Sequence, residues 1–351
     1  MELLHLRWGY LMTKAVYGFA ALALALAAGV IPSSFAAALP DAGSAFAVPH
    51  QLVDVGGRKM NIYCSGKGTT TVVFDSPSGD AGWGWFRVQP EVAKHTRACV
   101  FDRAGLGFSD PAKRPNTSEN VAEDLHKLLA AAGEKAPYIL VGNSLGGANV
   151  QVYAYRYPKE VKGLVLVEAQ HEDETSRVDK ASGGKIKDFY AMVAAQNKYC
   201  QAAAEKGFKA GSEERKNCVG DAAEIAKMFG PTLGAAVTAS TLKASYWRAN
   251  TAEYDGIAAS DEQLRKLRRP FGDLPIVVLT RGVSPYRIPD QPQSATNKAI
   301  EDANFAVQKE YLKLTTRGTQ RVVPGAGHVI QAEKPEAVVA AVLEVLKQVT
   351  P

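Results

Sequence analysis

One stretch of the chain, residues 138 to 158, constrains the fold more than any other. Tyr138-Ile139-Leu140-Val141 reads as a buried strand, and Gly142-Asn143-Ser144-Leu145-Gly146 follows with no polar loop between. Gly146 to Tyr157 is compatible with a helix, which must end before Pro158. A strand that turns straight into a helix crowds its turn residue with backbone, so only small neighbours are tolerated. Gly142 and Gly146 meet that demand, and the turn presents the Ser144 hydroxyl at its tip.

The remainder agrees with an α/β chain. Candidate strands at 50–56, 58–64, 70–75, 96–101, 137–142, 161–168, 275–281 and 319–324 alternate with helix-like segments, the pattern of a mostly parallel sheet. Gly56-Gly57 reads as a hairpin turn between the first two strands. Thr117 is a candidate N-cap for a helix reaching Ala132, with an apolar stripe at Val121, Leu125, Leu128 and Leu129. A last helix is expected from Pro335 to Gln348. Between about 170 and 270 the alternation stops, and the sequence reads helical and polar. At 46% hydrophobic and 22% charged, the chain is neither disordered nor collagen-like. The net charge of +5 is scattered. Its one tight cluster, Arg265, Lys266, Arg268 and Arg269, reads as a solvated helix face, so no nucleic-acid partner is expected.

Residues 1–38 differ in kind. Arg7 and Lys14 precede an apolar run from Ala15 to Ile31, and Ala36-Ala37-Ala38 offers a cleavage site of the small-residue kind. This is the layout of a secretory signal peptide, with Met12 as an alternative start. A secreted or periplasmic protein with no stable membrane insertion after cleavage is expected; the alternative is a protein anchored by an uncleaved segment. All four cysteines, Cys64, Cys99, Cys200 and Cys218, lie beyond this leader. An even number in an exported chain points to disulfides, and four cysteines allow three pairings. None has the spacing of a zinc site.

A serine hydroxyl needs a base within hydrogen-bond reach, and the base needs an orienting acid. Of the six histidines, His328 stands apart in Pro324-Gly325-Ala326-Gly327-His328, a glycine-rich loop between the last strand and the last helix. It is the candidate general base for Ser144. An acid ending an apolar strand would emerge at the same edge of the sheet, and Glu168 ends Val165-Leu166-Val167 in that way. Asp290, Asp173, Glu172 and Asp302 are the other candidates.

The chain resembles the α/β-hydrolase superfamily, in the lid-bearing branch of serine hydrolases that includes esterases, lipases and proline iminopeptidase-like enzymes. The likeness rests on Thr71-Val72-Val73-Phe74, on Phe101-Asp102-Arg103-Ala104-Gly105-Leu106-Gly107-Phe108-Ser109-Asp110, on the Ser144 turn, on Arg156-Tyr157-Pro158 with Leu164-Val165-Leu166-Val167, and on Gly327-His328. It implies an eight-stranded, mostly parallel sheet flanked by helices. The core would span residues 39–169 and 271–351, interrupted by a helical lid at 170–270. Many relatives place the acid after the seventh strand, where this chain reads Leu279-Thr280-Arg281-Gly282 without a carboxylate. Another branch places it after the sixth, at Glu168.

The resemblance also implies a structural turn at Asp102-Arg103. It implies an oxyanion hole from the backbone N–H groups of Leu145 and Ser78; Pro77 has no N–H to offer. Its sheet order makes the second and fourth strands neighbours, which pairs Cys64 with Cys99 and leaves Cys200 with Cys218. The expected activity is cleavage of an ester or related acyl bond in a small-molecule substrate, through an acyl-enzyme and without cofactor or metal. A peptidase or amidase using the same triad, or a non-catalytic binding protein of this fold, are the alternatives. Epoxide hydrolases and dehalogenases are disfavoured, since those relatives carry a carboxylate where Ser144 stands. The large apolar side chains Tyr199, Phe208, Met228, Phe229, Tyr246, Trp247, Trp83 and Trp85 fit either a pocket lining or core packing. The sequence leaves the oligomeric state undetermined.

Overall fold

The computed structural model describes residues 43–287 and 291–350. The leader expected at residues 1–38 and the candidate acid Asp290 lie outside the described residues. Eight strands form one sheet: β1 (Gln51–Asp54), β2 (Lys59–Ser65), β3 (Thr71–Asp75), β4 (Arg97–Phe101), β5 (Tyr138–Asn143), β6 (Val161–Val167), β7 (Ile276–Arg281) and β8 (Gly318–Val323). Each falls within about two residues of a run read from the sequence, the usual uncertainty of strand ends. The order is β1-β2-β4-β3-β5-β6-β7-β8. β1 and β2 pair antiparallel, as do β2 and β4, and every later pair is parallel.

The parallel interior explains the uninterrupted apolar runs. Every residue of β3, β5 and β7 is buried, because helices cover both faces. Alternate residues point to opposite faces. Val72, Phe74, Val100, Val141, Val165 and Leu279 join one core, while Val73, Phe101, Leu140, Leu164, Leu166 and Val278 join the other. Exposed residues recur only along the outermost strands, β1 and β8.

The helices follow the strands in turn. α1 (Gln89–Ala93) links β3 to β4, α2 (Ser118–Ala131) links β4 to β5, and α3 (Leu145–Arg156) links β5 to β6. Seven helices and no strand occupy the stretch between β6 and β7: α4 (Glu174–Ser182), α5 (Lys185–Lys206), α6 (Glu213–Val219), α7 (Ala222–Phe229), α8 (Pro231–Thr241), α9 (Ala244–Asp255) and α10 (Ile257–Leu267). α11 (Ala295–Lys309) precedes β8, and α12 (Ile330–Glu333) and α13 (Pro335–Val349) follow it.

Two local expectations meet the tertiary structure differently. At the hairpin, Asp54 Oδ1 accepts the N–H groups of Gly56 and Gly57 at 2.7 and 2.8 Å, which ties the turn to the end of β1. Thr117 does sit at the N-cap of α2, but its side chain makes no capping bond there. Its hydroxyl instead accepts from Gln263 Nε2 at 3.2 Å. The free N–H groups of Ser118 and Glu119 donate to Ser260 Oγ and Gln263 Oε1, both at 3.0 Å. The cap of α2 is therefore supplied by α10, some 140 residues later in the chain. Satisfying those orphan N–H groups from a neighbour relieves the threonine of the task.

Both disulfides form. Cys64 and Cys99 face each other in the β2–β4 register, and Cys200 joins Cys218 between α5 and α6. Among the described residues no helix is long and apolar enough to cross a membrane.

Candidate active site

The chain leaves β3 for β4 on one side and then crosses back to β5 on the other. Such a reversal opens a crevice at the carboxyl ends of the strands. The β3–β5 boundary holds Ser144 on one lip and the loop after Asp75 on the other.

Ser144 sits at the start of α3 with φ +54° and ψ −122°, a conformation that costs a non-glycine residue about 1–3 kcal/mol. The surroundings hold it there. Its N–H donates to the carbonyls of Val167 and Glu168, both at 3.2 Å, and its own carbonyl accepts from Gly147 and Gln170 at 2.8 and 3.0 Å. The flanking glycines are steric necessities. A Cβ on Gly142 would lie 2.3 Å from the Gly146 carbonyl oxygen, and one on Gly146 would lie 2.3 Å from that of Asp75.

Glu168 follows β6 directly and, with Ser144, is one of two non-glycine residues with positive φ among the described residues, at +44°. Its N–H donates to the Leu279 carbonyl at 2.8 Å, so β7 fixes its backbone. The side chain is buried. Oε1 accepts from the Arg281 N–H at 2.9 Å and from Asn304 Nδ2 at 3.3 Å. Oε2 accepts from Arg281 Nη1 at 2.5 Å and lies 3.3 Å from His328 Nδ1. Burial alone would push this carboxyl up. The adjacent Arg281 guanidinium, with the hydrogen bonds from His328 and the Arg281 N–H, outweighs it and draws the pKa down to about 2.

His328 lies in the loop between β8 and α12 and is about one-third exposed. The loop is pinned by the Ala326 carbonyl, which accepts from Gly282 and Val283 at 3.0 and 2.9 Å. Asn143, immediately before Ser144, ties the loop to the serine turn. Its Nδ2 donates to the His328 carbonyl at 3.2 Å and to the Val167 carbonyl at 2.8 Å, while its Oδ1 accepts from Gln331 at 3.0 Å. The structure thus brings Glu168 to His328 and places Ser144 at the same edge. The Ser144 hydroxyl and the His328 ring share no hydrogen bond; the ring's partner is Glu168.

The loop after β3 is held by a buried ionic cluster. Arg103 Nη1 donates to Asp75 Oδ1 and to the Ser76 carbonyl, both at 2.6 Å, and Nη2 donates to the Pro77 carbonyl at 2.8 Å. Its Nε donates to Glu253 Oε1 at 2.6 Å, and Glu253 Oε2 accepts the Gly79 N–H at 2.8 Å. Arg103, Asp75 and Glu253 are all buried. Although burial works against the cation, Glu253 and Asp75 hold Arg103 protonated. Glu253 belongs to α9, so the helices between β6 and β7 grip the loop that carries Ser78. The N–H groups of Ser78 and Leu145 donate to no protein acceptor among the described residues.

The other acidic candidates are engaged elsewhere. Asp173 pairs with Arg265 at 2.9 Å, Glu172 with Arg268 at 2.9 Å, and Asp302 with Lys298 at 2.6 Å. Asp102 accepts from Asn61 and from the N–H groups of Gly82 and Phe108, so it holds a turn as the resemblance implied. Trp85 is fully buried against Phe74, and Tyr246 and Trp247 join the core, which assigns these three aromatics to packing.

Sequence reasoning did not single out Arg281, Asn143 or the Arg103–Glu253 pair. The one available signal was an arginine standing where a carboxylate was expected.

The family profile of the alpha/beta hydrolase fold matches residues 77–255, just over half of the chain. The uncharacterized protein YbdG of Bacillus subtilis is 36% identical over 119 residues, 33% of this chain and 37% of that protein. The 2-hydroxy-6-oxo-2,4-heptadienoate hydrolase of Pseudomonas putida is 36% identical over 124 residues, 34% of this chain and 44% of that protein. The matches to these curated relatives thus span well under two thirds of their length. A thermophilic esterase from Thermogutta terrifontis superposes with a TM-score of 0.57 at 18% identity, covering 87% of this chain and all of that one, a likeness of fold alone. Taken with a sheet whose order reverses beside the Ser144 turn, the profile match makes this chain a member of the α/β-hydrolase fold family.

Proposed function

We propose that the protein is a serine hydrolase that cleaves an ester or related acyl bond, with Ser144 as nucleophile, His328 as general base and Glu168 as the orienting acid. The observation that carries this reading is the buried Glu168 carboxylate 3.3 Å from His328 Nδ1, at the same sheet edge as the strained Ser144 turn. A carboxylate on Nδ1 leaves Nε2 as the basic nitrogen and stabilises the imidazolium that forms.

In this reading Ser144 Oγ attacks the substrate carbonyl carbon while His328 Nε2 takes the hydroxyl proton. The negative oxygen of the tetrahedral intermediate is received by the N–H groups of Leu145 and Ser78, each worth about 3 kcal/mol. Collapse of the intermediate breaks the acyl bond, and His328 returns the proton to the leaving alcohol. Water then attacks the acyl-enzyme with His328 again as base. The helices between residues 170 and 270 act as a lid over the crevice. The two disulfides fit an exported, secreted or periplasmic enzyme, since such bonds persist in oxidising compartments.

The test is labelling of the purified protein with a fluorophosphonate probe, beside Ser144→Ala. Labelling that disappears in the variant supports an activated serine and justifies a screen of p-nitrophenyl esters of rising chain length. A folded wild type that takes no label would leave the non-catalytic, ligand-binding reading in its place. An amide substrate turned over faster than every ester would favour the peptidase or amidase reading.

A further inference from the structure

We propose that Arg281, clamped by Glu301, is a positioning residue for the acid of the triad: it fixes the Glu168 carboxylate in plane and keeps it ionised. The inference rests on the triad reading above and adds to it a residue that stands where the resemblance expects an acid.

The geometry is that of a chelate. Arg281 ends β7, beside the end of β6 from which Glu168 projects. It reaches both carboxylate oxygens at once, the main-chain N–H to Oε1 at 2.9 Å and the guanidinium Nη1 to Oε2 at 2.5 Å. The far side of the same guanidinium is held by Glu301 of α11, with Nε to Oε2 at 2.9 Å and Nη2 to Oε1 at 3.0 Å. Arg281 is therefore held from two sides by carboxylates, and swinging away would strip the buried Glu168 of its adjacent cation. A planar guanidinium with a rigid set of donors suits this double grip, whereas an ammonium would meet each carboxylate as a point charge.

Two consequences follow for Glu168. Its backbone holds a strained positive φ, and its carboxylate plane is set by three donors from β7 and α11: the Arg281 N–H, Arg281 Nη1 and Asn304 Nδ2. The orientation of the oxygen facing His328 is thus determined before any substrate arrives. Ionisation is secured as well. A buried carboxylate without a cation would tend to take up a proton. Protonated Glu168 could not stabilise the imidazolium. The charged and titratable groups around it are Arg281 from β7, Tyr286 from the loop beyond it, Glu301 from α11, Glu174 from α4, and His328 itself. Of these, Glu174, Glu301 and Tyr286 oppose the carboxylate's charge or bear none. Arg281 is the permanent cation of the set.

The experiment compares wild type with Arg281→Gln, Arg281→Lys and Glu301→Gln, reading fluorophosphonate labelling rates and ester hydrolysis from pH 5 to pH 9. Arg281→Gln should lower kcat by about tenfold or more near pH 6 with little change in KM, and move the acid limb of the profile upward by about one pH unit. Arg281→Lys should bring the limb most of the way back while restoring only part of kcat, because charge returns without the fork. Glu301→Gln removes one side of the clamp together with a negative charge that opposes Glu168, so it should lower kcat by less than Arg281→Gln and leave the limb at or below its wild-type position. A folded Arg281→Gln with the wild-type limb and a rate within about twofold of wild type would overturn the inference. If Arg281→Gln does not fold, Arg281→Lys decides alone: a rate within about twofold of wild type overturns the inference, and a lowered kcat with the limb near its wild-type position supports it. Wild type that takes no label would instead overturn the triad reading on which the inference rests.

Discussion

The N–H of Ser144 donates to the carbonyl of Glu168 at 3.2 Å, and these are the two non-glycine residues with positive φ among those described. The strained turn that presents the serine is thus braced directly by the strained residue that holds the acid. One hydrogen bond couples the two, so neither backbone can relax toward ordinary geometry without disturbing the other. Storing strain at a site that surrounding structure over-determines is characteristic of functional turns.

Replacing Ser144 by glycine should therefore stabilise the fold while removing the nucleophile. Glycine meets φ +54° without a Cβ penalty, and relief of about 1 kcal/mol should raise the melting temperature of a chain this long by about 1–2 °C. Thermal denaturation of Ser144→Gly against Ser144→Ala isolates the effect, since alanine keeps the strain. Equal melting temperatures would show that the turn is not strained in solution.

The lowered pKa of Glu168 sets a pH window for its contribution to stability. A carboxyl held at about 2, below its ordinary value near 4.5, stabilises the fold fully above that ordinary value and loses the contribution as pH falls through about 2. The difference in stability between wild type and Glu168→Gln should be flat from pH 7 to pH 5 and shrink steadily toward pH 2. Denaturant midpoints measured across that range check it. Activity of Glu168→Gln should fall by about 10²- to 10⁴-fold at neutral pH.

Glu253 joins the α9 helix to the loop carrying Ser78 by accepting from both Arg103 and the Gly79 N–H. In Glu253→Gln a single amide oxygen remains to serve both donors, and Arg103 keeps only Asp75 as a buried counter-charge. A loss of about 3 kcal/mol is expected from breaking such a pair. The loop should loosen with it, so kcat should drop by about tenfold or more while KM changes less. Urea midpoints and steady-state kinetics on one ester would separate the two effects.

The Cys200–Cys218 bond closes a short loop between α5 and α6, with a sequence separation of 18. A closure of this length limits the unfolded chain by about 3 kcal/mol. Cys200→Ser with Cys218→Ser should leave the sheet intact and make the 200–218 segment the first site of proteolysis. Cleavage that begins elsewhere would mean the segment is held by packing instead.

Much of the fold was legible locally. The eight apolar runs, the strand-to-helix turn at Ser144 and the glycine-rich loop at His328 are each specified by residues close together in sequence, through periodicity, crowding and turn chemistry. Thr117 illustrates the limit. Its position as an N-cap follows from local pattern, but the groups that satisfy the first turn of α2 come from Ser260 and Gln263, and no local signal points to them.

The sequence by itself determined the strand and helix segments, the serine turn with its two obligatory glycines, and the even set of cysteines. Only the tertiary structure decided which acid meets His328, since Glu168 and His328 lie 160 residues apart and their contact depends on the order of β5, β6, β7 and β8. The same holds for Arg281 beneath Glu168 and for Glu253 over Arg103, each a pairing of buried charges more than 100 residues apart. The physical reason is common to all three. A buried charge is tolerable only beside a compensating partner. Which partner that is depends on the packing of strands and helices, and a linear pattern does not encode it.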